Sequence, residues 1–358
     1  MKRSILIALM AAGIFAAPAA AQQTKVLTAD KTNEYGLVYS LPVTALEITI
    51  TAQKETLVAG PYANYAKKYL ATDNIITESG ERWTITGVSV RQYGAVEPET
   101  KYLMQLKPGS TTFIGVADNG MLLSINCEPQ AEQQAAQSHP ASRPANFTGK
   151  EYLQYVDEDF IASQSSAKQA EMLASNIMEV RDARLSLTRG TADTMPTDGK
   201  QLELMLNSLQ EQEDAMTAAF TGMVEKETVT RTYSYVPEED GKEILIRFSD
   251  FKGFCAADDY AGSPLEVRVN VTAQGVIPKD ANGKEKELPK DAVRYCIPGS
   301  AQITLLHEGK TLYNRELEFA QFGVEYGLNP ALFTDRKEPS YAIFNPVTGG
   351  LRELGIVK

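Results

Sequence analysis

Two distant stretches of the chain carry nearly the same pattern of residues. Residues 39–50 read YSLPVTALEITI, and residues 295–305 read YCIPGSAQITL. Two shorter motifs also recur, in the same order. VRQYG at 90–94 corresponds to FAQFG at 319–323, and the turn at 120–122 corresponds to the turn at 349–351. A repeated supersecondary unit limits how a chain can fold more strongly than any local pattern does. The repeat predicts an internal duplication with these equivalent residues: Tyr39 and Tyr295, Gln92 and Gln321, Gly120 and Gly349.

The spacing of the motifs indicates an insertion in the first copy. The second and third motifs are 28 residues apart in both copies, but the first and second are 53 apart in one copy and 26 in the other. The extra segment contains GPYANYAKKYLA, in which Pro61 suits the first turn of a helix. Its helical spacing places Tyr62, Tyr65 and Tyr69 on one side. The three rings could form a platform for a sugar or aromatic ligand, or pack the helix onto a sheet.

Most of both copies is predicted to be β-strand, with turns at Asn119-Gly120 and at Gly349-Gly350. We expect Gln92 and Gln321, each before an aromatic residue and a glycine, to form hydrogen bonds with local backbone groups.

The predicted fold class is α+β, with two related β-rich domains separated by an antiparallel helical hairpin. The predicted division is a signal peptide at 1–21, an N-terminal β-rich domain with one inserted helix at 22–128, a linker at 129–165, the hairpin at 166–222 and a C-terminal β-rich domain at 223–358.

The hairpin is predicted from capping signals and apolar stripes. Two capping boxes mark the starts of two helices, one formed by Ser166 with Gln169 and the other by Asp198 with Gln201. The helices are predicted to end before Gly190 and Gly222. The stripe of the second helix contains two methionines and several leucines. Such a stripe could contact a partner protein, or pack against the first helix and a β-domain.

The N-terminus predicts export. Lys2 and Arg3 precede an apolar run and then Ala19-Ala20-Ala21, a pattern typical of a cleaved secretory signal. We therefore expect a periplasmic, outer-membrane-associated or extracellular protein without a membrane span.

The predicted mature chain is acidic. After cleavage it has 33 basic and 46 acidic side chains, which gives a net charge of −13. This charge argues against nucleic acid as a partner. An envelope protein or a glycan remains the expected partner, and the oligomeric state stays open.

Signals for catalysis or a cofactor are weak. The two histidines, His139 and His307, lie far apart in the sequence, and no metal-binding spacing such as Cys-x-x-Cys occurs. No cofactor or metal is therefore predicted. Acidic clusters at 157–159 and at 258–259 leave room for a hydrolase that uses two carboxylates. In an acidic chain, such clusters are typically solvated loops.

Three cysteines allow one disulfide in an oxidising compartment. We expect Cys255 to pair with Cys296, because both fall in the C-terminal β-rich region while Cys127 falls in the other, and a bridge needs α-carbons within about 7 Å. The competing interpretation is that Cys296 is a small buried side chain that never oxidises.

Four stretches together resemble a family of exported Bacteroidetes proteins classed as a domain of unknown function. They are YSLPVTALEITI, GPYANYAKKYLA, the hairpin text DTMPTDGKQLELMLNSLQEQEDAMTAAFTG, and YCIPGSAQITL with AQFG downstream. The resemblance covers most of the mature chain and implies export and a bacterial source, but no activity or catalytic residue. The resemblance also implies a possible modification, because Asp193-Thr194-Met195 fits the pattern for O-glycosylation in these bacteria, with Thr194 as the acceptor. An ordinary connector between two helices explains the same residues equally well.

These observations predict a non-enzymatic binding, structural or assembly protein of the bacterial cell envelope, with an unidentified ligand. A carbohydrate-active hydrolase that uses a carboxylate pair is the alternative. An enzyme would need convergent acids in one deep pocket, whereas a binding module would present an open surface or a strand edge.

Overall fold

The computed structural model describes residues 25–26, 36–96, 101–105, 113–129, 149–289, 292–335 and 337–357. The predicted signal peptide, His139 and residues 130–148 of the predicted linker lie outside these ranges. Within them the chain has an α+β fold in which strands predominate, as the sequence predicted. No helix in this part of the chain is long and apolar enough to cross a membrane.

The described strands are β1 (Lys25–Val26), β2 (Gly36–Tyr39), β3 (Pro42–Val58), β4 (Gly80–Val96), β5 (Tyr102–Gln105), β6 (Ile114–Val116), β7 (Leu122–Ile125), β8 (Met223–Tyr235), β9 (Gly241–Ser249), β10 (Gly253–Cys255), β11 (Ser263–Ala273), β12 (Val293–His307), β13 (Lys310–Leu328), β14 (Ser340–Phe344) and β15 (Leu351–Ile356). The helices are α1 (Ala66–Leu70), α2 (Glu158–Ala162), α3 (Ser166–Arg189) and α4 (Gly199–Thr221). Short 3-10 helices cover Ala63–Tyr65, Glu151–Tyr155 and Pro330–Phe333.

Two antiparallel sheets form a β-sandwich. The first has the strand order β4-β3-β8 and the second has the order β10-β9-β11-β12-β13. Ile48 and Ile50 on β3 are fully buried and share one core cluster with Val267, Ile303 and Phe319 of the second sheet. Alternate residues of β3 face this core because side chains alternate along a strand. Burying each large apolar side chain contributes roughly 1.5–3 kcal/mol.

A third sheet combines strands from both repeat regions, in the order β1-β6-β7-β14-β15. β7 pairs with β14 through Ile125 and Ala342, which belong to different copies of the repeat. β8 follows the hairpin in sequence, yet it pairs with β3 along its whole length. The sheets therefore do not follow the sequence division at residue 223, because both β-rich regions share hydrogen-bonded neighbours.

The predicted helical hairpin is confirmed as the pair α3 and α4, joined by residues 190–198. Asp198 caps α4 as predicted, accepting a hydrogen bond from the Lys200 N–H. The cap of α3 is Ser165, one residue before the predicted Ser166. The predicted partner, Gln169, donates its side-chain amide to backbone carbonyls of the preceding segment instead.

The hairpin packs against the segment that follows β3. The Tyr62 N–H donates to Ala219 O at 2.9 Å, which holds the start of this segment against the end of α4. Gly60 allows this approach, because a Cβ there would lie 2.4 Å from Ala219 O. The helices, this segment and the residues around Tyr152 and Phe160 share one buried cluster. The base of the hairpin is thus fixed, while α3 and α4 extend beyond it.

Candidate binding groove

One face of the helical hairpin carries an elongated groove. Two adjoining cavities, of about 710 and 470 Å³, both contact Ala183, Leu209 and Gln212. The larger one reaches the α3–α4 connection at residues 191–194, and the smaller one reaches residues 155–157. We call this continuous depression the hairpin groove.

Helical spacing explains which side chains line the groove. Val180, Ala183 and Leu187 lie three or four residues apart on α3 and therefore on one face. Leu209 of α4 faces them, together with Met205, which is 39% exposed. Ala183 is a small residue between two larger ones, so the helices leave a gap at its level. The apolar side chains of the floor are therefore partly open to solvent, and the polar Ser186, Ser208 and Gln212 lie among them.

An ion-pair cluster also links the two helices of the hairpin. Glu213 of α4 is 8% exposed, and its Oε1 lies 2.6 Å from Arg181 Nε. Its Oε2 lies 2.8 Å from Arg184 Nη1, an ion pair without hydrogen-bond geometry. Gln210 accepts a further contact from Arg184. Because a nearly buried carboxylate is costly without its partners, this cluster favours the observed packing of α3 against α4.

The charged side chains that line the groove are all acidic. They are Asp157, Glu179 and Asp193, and no Lys or Arg occurs among the lining residues. Glu179 and Asp193 are exposed. Asp157 also caps α2, since its Oδ1 accepts from the Phe160 N–H at 2.8 Å. The groove therefore combines a partly apolar floor with a negative rim.

The predicted glycosylation residue, Thr194, is exposed at the distal end of the groove.

The predicted tyrosine platform is divided between the core and the surface. Tyr62 is 4% exposed, and its hydroxyl donates to Gln169 Oε1 at 3.1 Å. Tyr65 and Tyr69 are half-buried, with ring centroids 6.4 Å apart. The structure therefore does not present the three rings on one open face.

The structure does not bring the predicted cysteine pair together. Cys255 lies on β10 and Cys296 on β12, and both are free thiols, as is Cys127. β9 and β11 lie between those two strands, so about 14 Å separates them across the sheet alone. A disulfide requires α-carbons within about 7 Å. Cys296 is buried, and its Sγ lies 3.3 Å from Ala320 O.

The two repeated glutamines do bind backbone groups, but not local ones. Gln92 Nε2 donates to Glu318 O at 2.6 Å, on a strand of the other repeat region. Gln321 binds the backbone of Thr44 and donates to Pro237 O. The local prediction is therefore wrong, because each side chain spans the gap between the two sheets.

The acidic clusters serve local turns. Asp157 accepts from Phe160, as above, and Asp259 Oδ1 accepts from the Ala261 N–H at 2.9 Å. His307 lies at the end of β12, with Nδ1 3.3 Å from a carbonyl oxygen of the neighbouring strand. Among the described residues, no group of three or more His, Cys, Asp and Glu side chains is placed to hold a metal ion.

Sequence reasoning identified the stripe that contains Met205, Leu209 and Met216, but not the groove. It also missed Glu213 and its two arginines. An acidic residue within an apolar helical stripe was the available signal, since Glu213 lies three residues before Met216. The small residue Ala183 was the corresponding signal on α3.

A family model described as "Domain of unknown function (DUF4831)" matches residues 35–352. No curated protein and no solved structure matches the chain.

Proposed function

The chain belongs to the family described as a domain of unknown function (DUF4831), and from its own geometry we propose that it is a non-enzymatic binding protein. It is exported by a bacterium of the Bacteroidetes and acts in the cell envelope, in the periplasm or at the outer membrane. Its hairpin groove receives an apolar, positively charged peptide segment of an envelope protein.

The observation that carries this proposal is the continuity of the groove along two packed helices. Its length and its apolar floor, with Val180, Leu187 and Leu209, suit a helical segment whose apolar residues recur every three or four positions. A partly exposed methionine, Met205, adapts to partners of different shape because its side chain is unbranched and flexible.

The acidic rim selects the charge of the partner. Glu179 and Asp193 would face basic side chains that flank the apolar residues of the bound segment. Because both carboxylates are exposed, this attraction is screened by salt over about 8 Å at physiological ionic strength. The apolar floor supplies most of the binding free energy, and the rim supplies orientation and selectivity.

A defined peptide tests the proposal. The probe is an 18-residue amphipathic helix of Leu and Lys, compared with the same peptide carrying Glu in place of Lys, by fluorescence anisotropy. The Lys peptide should bind more tightly than the Glu peptide, and added salt should reduce the difference between their affinities. Ala183→Phe fills the groove and should weaken binding at least about tenfold, whereas Ala167→Phe, at an exposed site on the same helix outside the groove, should not.

Equal binding of both peptides, or an unchanged affinity in Ala183→Phe, would reject the proposed site. With a positive result, affinity purification from the cell envelope of the native host, comparing the native chain with Ala183→Phe, identifies the natural partner. A protein that both forms retain is not the groove partner.

We also propose that the two β-rich regions arose by internal duplication. The support is a pair of matching contacts. The Ser40 N–H donates to Gly120 O and the Cys296 N–H donates to Gly349 O, both at 3.0 Å. Both glycines have positive φ, and each contact continues as an isolated parallel bridge at the following residue.

The remaining neighbours differ between the two regions. β3 lies beside β8, which follows it in the chain, whereas β12 lies beside β11, which precedes it. An experimental structure in which the two hairpin turns superpose poorly on each other would refute the duplication.

A further inference from the structure

β8 is a long outer strand of the sandwich with one open edge. It pairs with β3 from Met223 to Tyr235 in a continuous register without a bulge. In the part of the chain that the structure describes, β3 is its one hydrogen-bonded neighbour. Half of its backbone N–H and C=O groups therefore point away from the sheet without a strand to receive them.

The other sheet edges in the described residues are short or interrupted. β1 and β10 have two and three residues, and β15 has six. β4 is irregular near residue 86, and β13 has two interruptions in its pairing with β12. Bulges and short strands are the usual protection against edge-to-edge pairing. β8 has 13 residues and contains no proline.

We propose that β8 pairs antiparallel with β8 of a second copy, so that the chain forms a homodimer with one continuous six-stranded sheet. The two-fold axis passes by Val229, which lies opposite Val229 of the second copy. This register overlaps all 13 residues, because Val229 is the midpoint of β8. It also places core-facing side chains opposite core-facing side chains, which any pairing of the two sheets requires.

Charge complementarity supports the same register. Glu227 lies opposite Arg231 of the second copy, and the symmetry repeats this pair. Within its own copy neither side chain has an ion-pair partner among the described residues, since Lys54, next to Glu227, is bound to Glu81 at 2.7 Å. The Arg231 guanidinium lies 5.1 Å from the centre of the Phe254 ring and is exposed.

Neighbouring registers fit less well. With Thr228 at the centre, Arg231 still faces an acidic residue, Glu225, but Glu227 faces Val229 and the overlap becomes shorter. With Arg231 at the centre, two like charges face each other, which is destabilising on a sheet. With Thr230 at the centre, Arg231 faces valine and Glu227 faces tyrosine, and the overlap becomes shorter. On the outer face, the central register sets Thr228 opposite Thr230 of the second copy. This extends the row of paired hydroxyls that Thr51 and Thr230 already form across the sheet.

A charge swap tests the interface in the purified full chain. Sedimentation of the native protein should give a dimer. Arg231→Glu places two glutamates opposite each other at both symmetric positions and should raise the dissociation constant by about tenfold or more. The double variant Glu227→Arg, Arg231→Glu restores both pairs and should restore the dimer. Arg315→Glu, at an exposed site on the edge strand β13, is the matched control and should remain dimeric.

Single cysteines test the register. Val229→Cys places two thiols on opposed residues, whose α-carbons lie about 4.5–5.5 Å apart, within disulfide range. It should form a covalent dimer under mild oxidation, whereas the native chain should not. Thr232→Cys should not, because the two cysteines would be about 20 Å apart along the strands. A native monomer, a dimer unaffected by Arg231→Glu, a failed rescue by the double variant or equal cross-linking of both cysteines would overturn the proposal.

Discussion

Gln321 and Thr44 hold each other through two hydrogen bonds, although 277 residues separate them. The Thr44 N–H donates to Gln321 Oε1 at 3.1 Å, and Gln321 Nε2 donates to Thr44 O at 2.9 Å. The Thr44 hydroxyl donates to Val347 O and accepts from the Ala320 N–H, both at 3.0 Å. Thr44 is fully buried. This network joins β3 of the first region to β13 and the last hairpin of the second.

Replacing Thr44 by valine should destabilise the fold. The change keeps the side-chain shape but leaves Val347 O and the Ala320 N–H without their partner, which costs about 2–4 kcal/mol of the free energy of unfolding. Urea denaturation measures this loss. Thr49→Val, at a partly exposed site on the same strand, should change stability by no more than about 1 kcal/mol. Equal effects of the two changes would contradict the role assigned to Thr44.

The Glu213 cluster predicts a selective effect of charge removal on the hairpin. Glu213→Gln keeps the side-chain size but removes the charge that Arg181 and Arg184 share, and should lower the free energy of unfolding by about 2 kcal/mol. Glu211→Gln, at an exposed site on the same helix, serves as the control. Chemical denaturation of the two variants compares them. If both are as stable as the native chain, the cluster does not hold the helices.

Stability should fall steeply in alkaline solution. Burial raises the pKa of Tyr39 from 10.0 to about 12, so above pH 10 the unfolded chain loses this proton while the folded chain keeps it. The stability that this group contributes is therefore fully present below pH 10 and declines by about 1.4 kcal/mol per pH unit towards pH 12. Urea titrations between pH 8 and 11 measure the decline.

Tyr39→Phe removes the ionisable group at this position and should reduce that alkaline slope. Its lower stability at neutral pH, from the lost contact with the Arg294 N–H, is measured separately. A slope that is the same with and without the Tyr39 hydroxyl would contradict the assignment.

Cys255 and Cys296 should differ in reactivity in the native protein. Burial raises the pKa of Cys296 to about 12, with a further contribution from the charge of Glu325. We expect iodoacetamide at pH 8 to modify the half-buried Cys255 in the native protein and to reach Cys296 only after unfolding. Peptide mapping without reductant gives the result. A Cys255–Cys296 bridge in protein purified from the native host would show that the strand order of the second sheet is different.

The exposed position of Thr194 keeps the glycosylation prediction open to a direct test. Protein purified from its native host should carry extra mass that Thr194→Ala removes, while Thr191→Ala, in the same connection, leaves it in place. Intact mass spectrometry decides the question. A native mass equal to that of the unmodified chain, with or without the predicted signal peptide, would exclude the modification.

Local signals in the sequence predicted most of the individual elements. Asp198 and the glycines at 190 and 222 marked the hairpin because caps and left-handed residues act over one turn. The strand around Ile48 was predicted because alternation along one strand reports which face is buried. The predicted N-cap of α3 was one residue too late, at Ser166 instead of Ser165, because two adjacent serines could cap the helix equally well.

Only the tertiary structure decided which elements lie side by side. A pattern of period two or 3.6 identifies a buried face but not the surface that covers it. The pairing of β8 with β3 therefore could not be read from either strand. The contact of Gln321 with Thr44 and the groove beside Ala183 likewise depend on residues distant in the chain. These contacts form because buried backbone groups and apolar faces must be satisfied together in one packed arrangement.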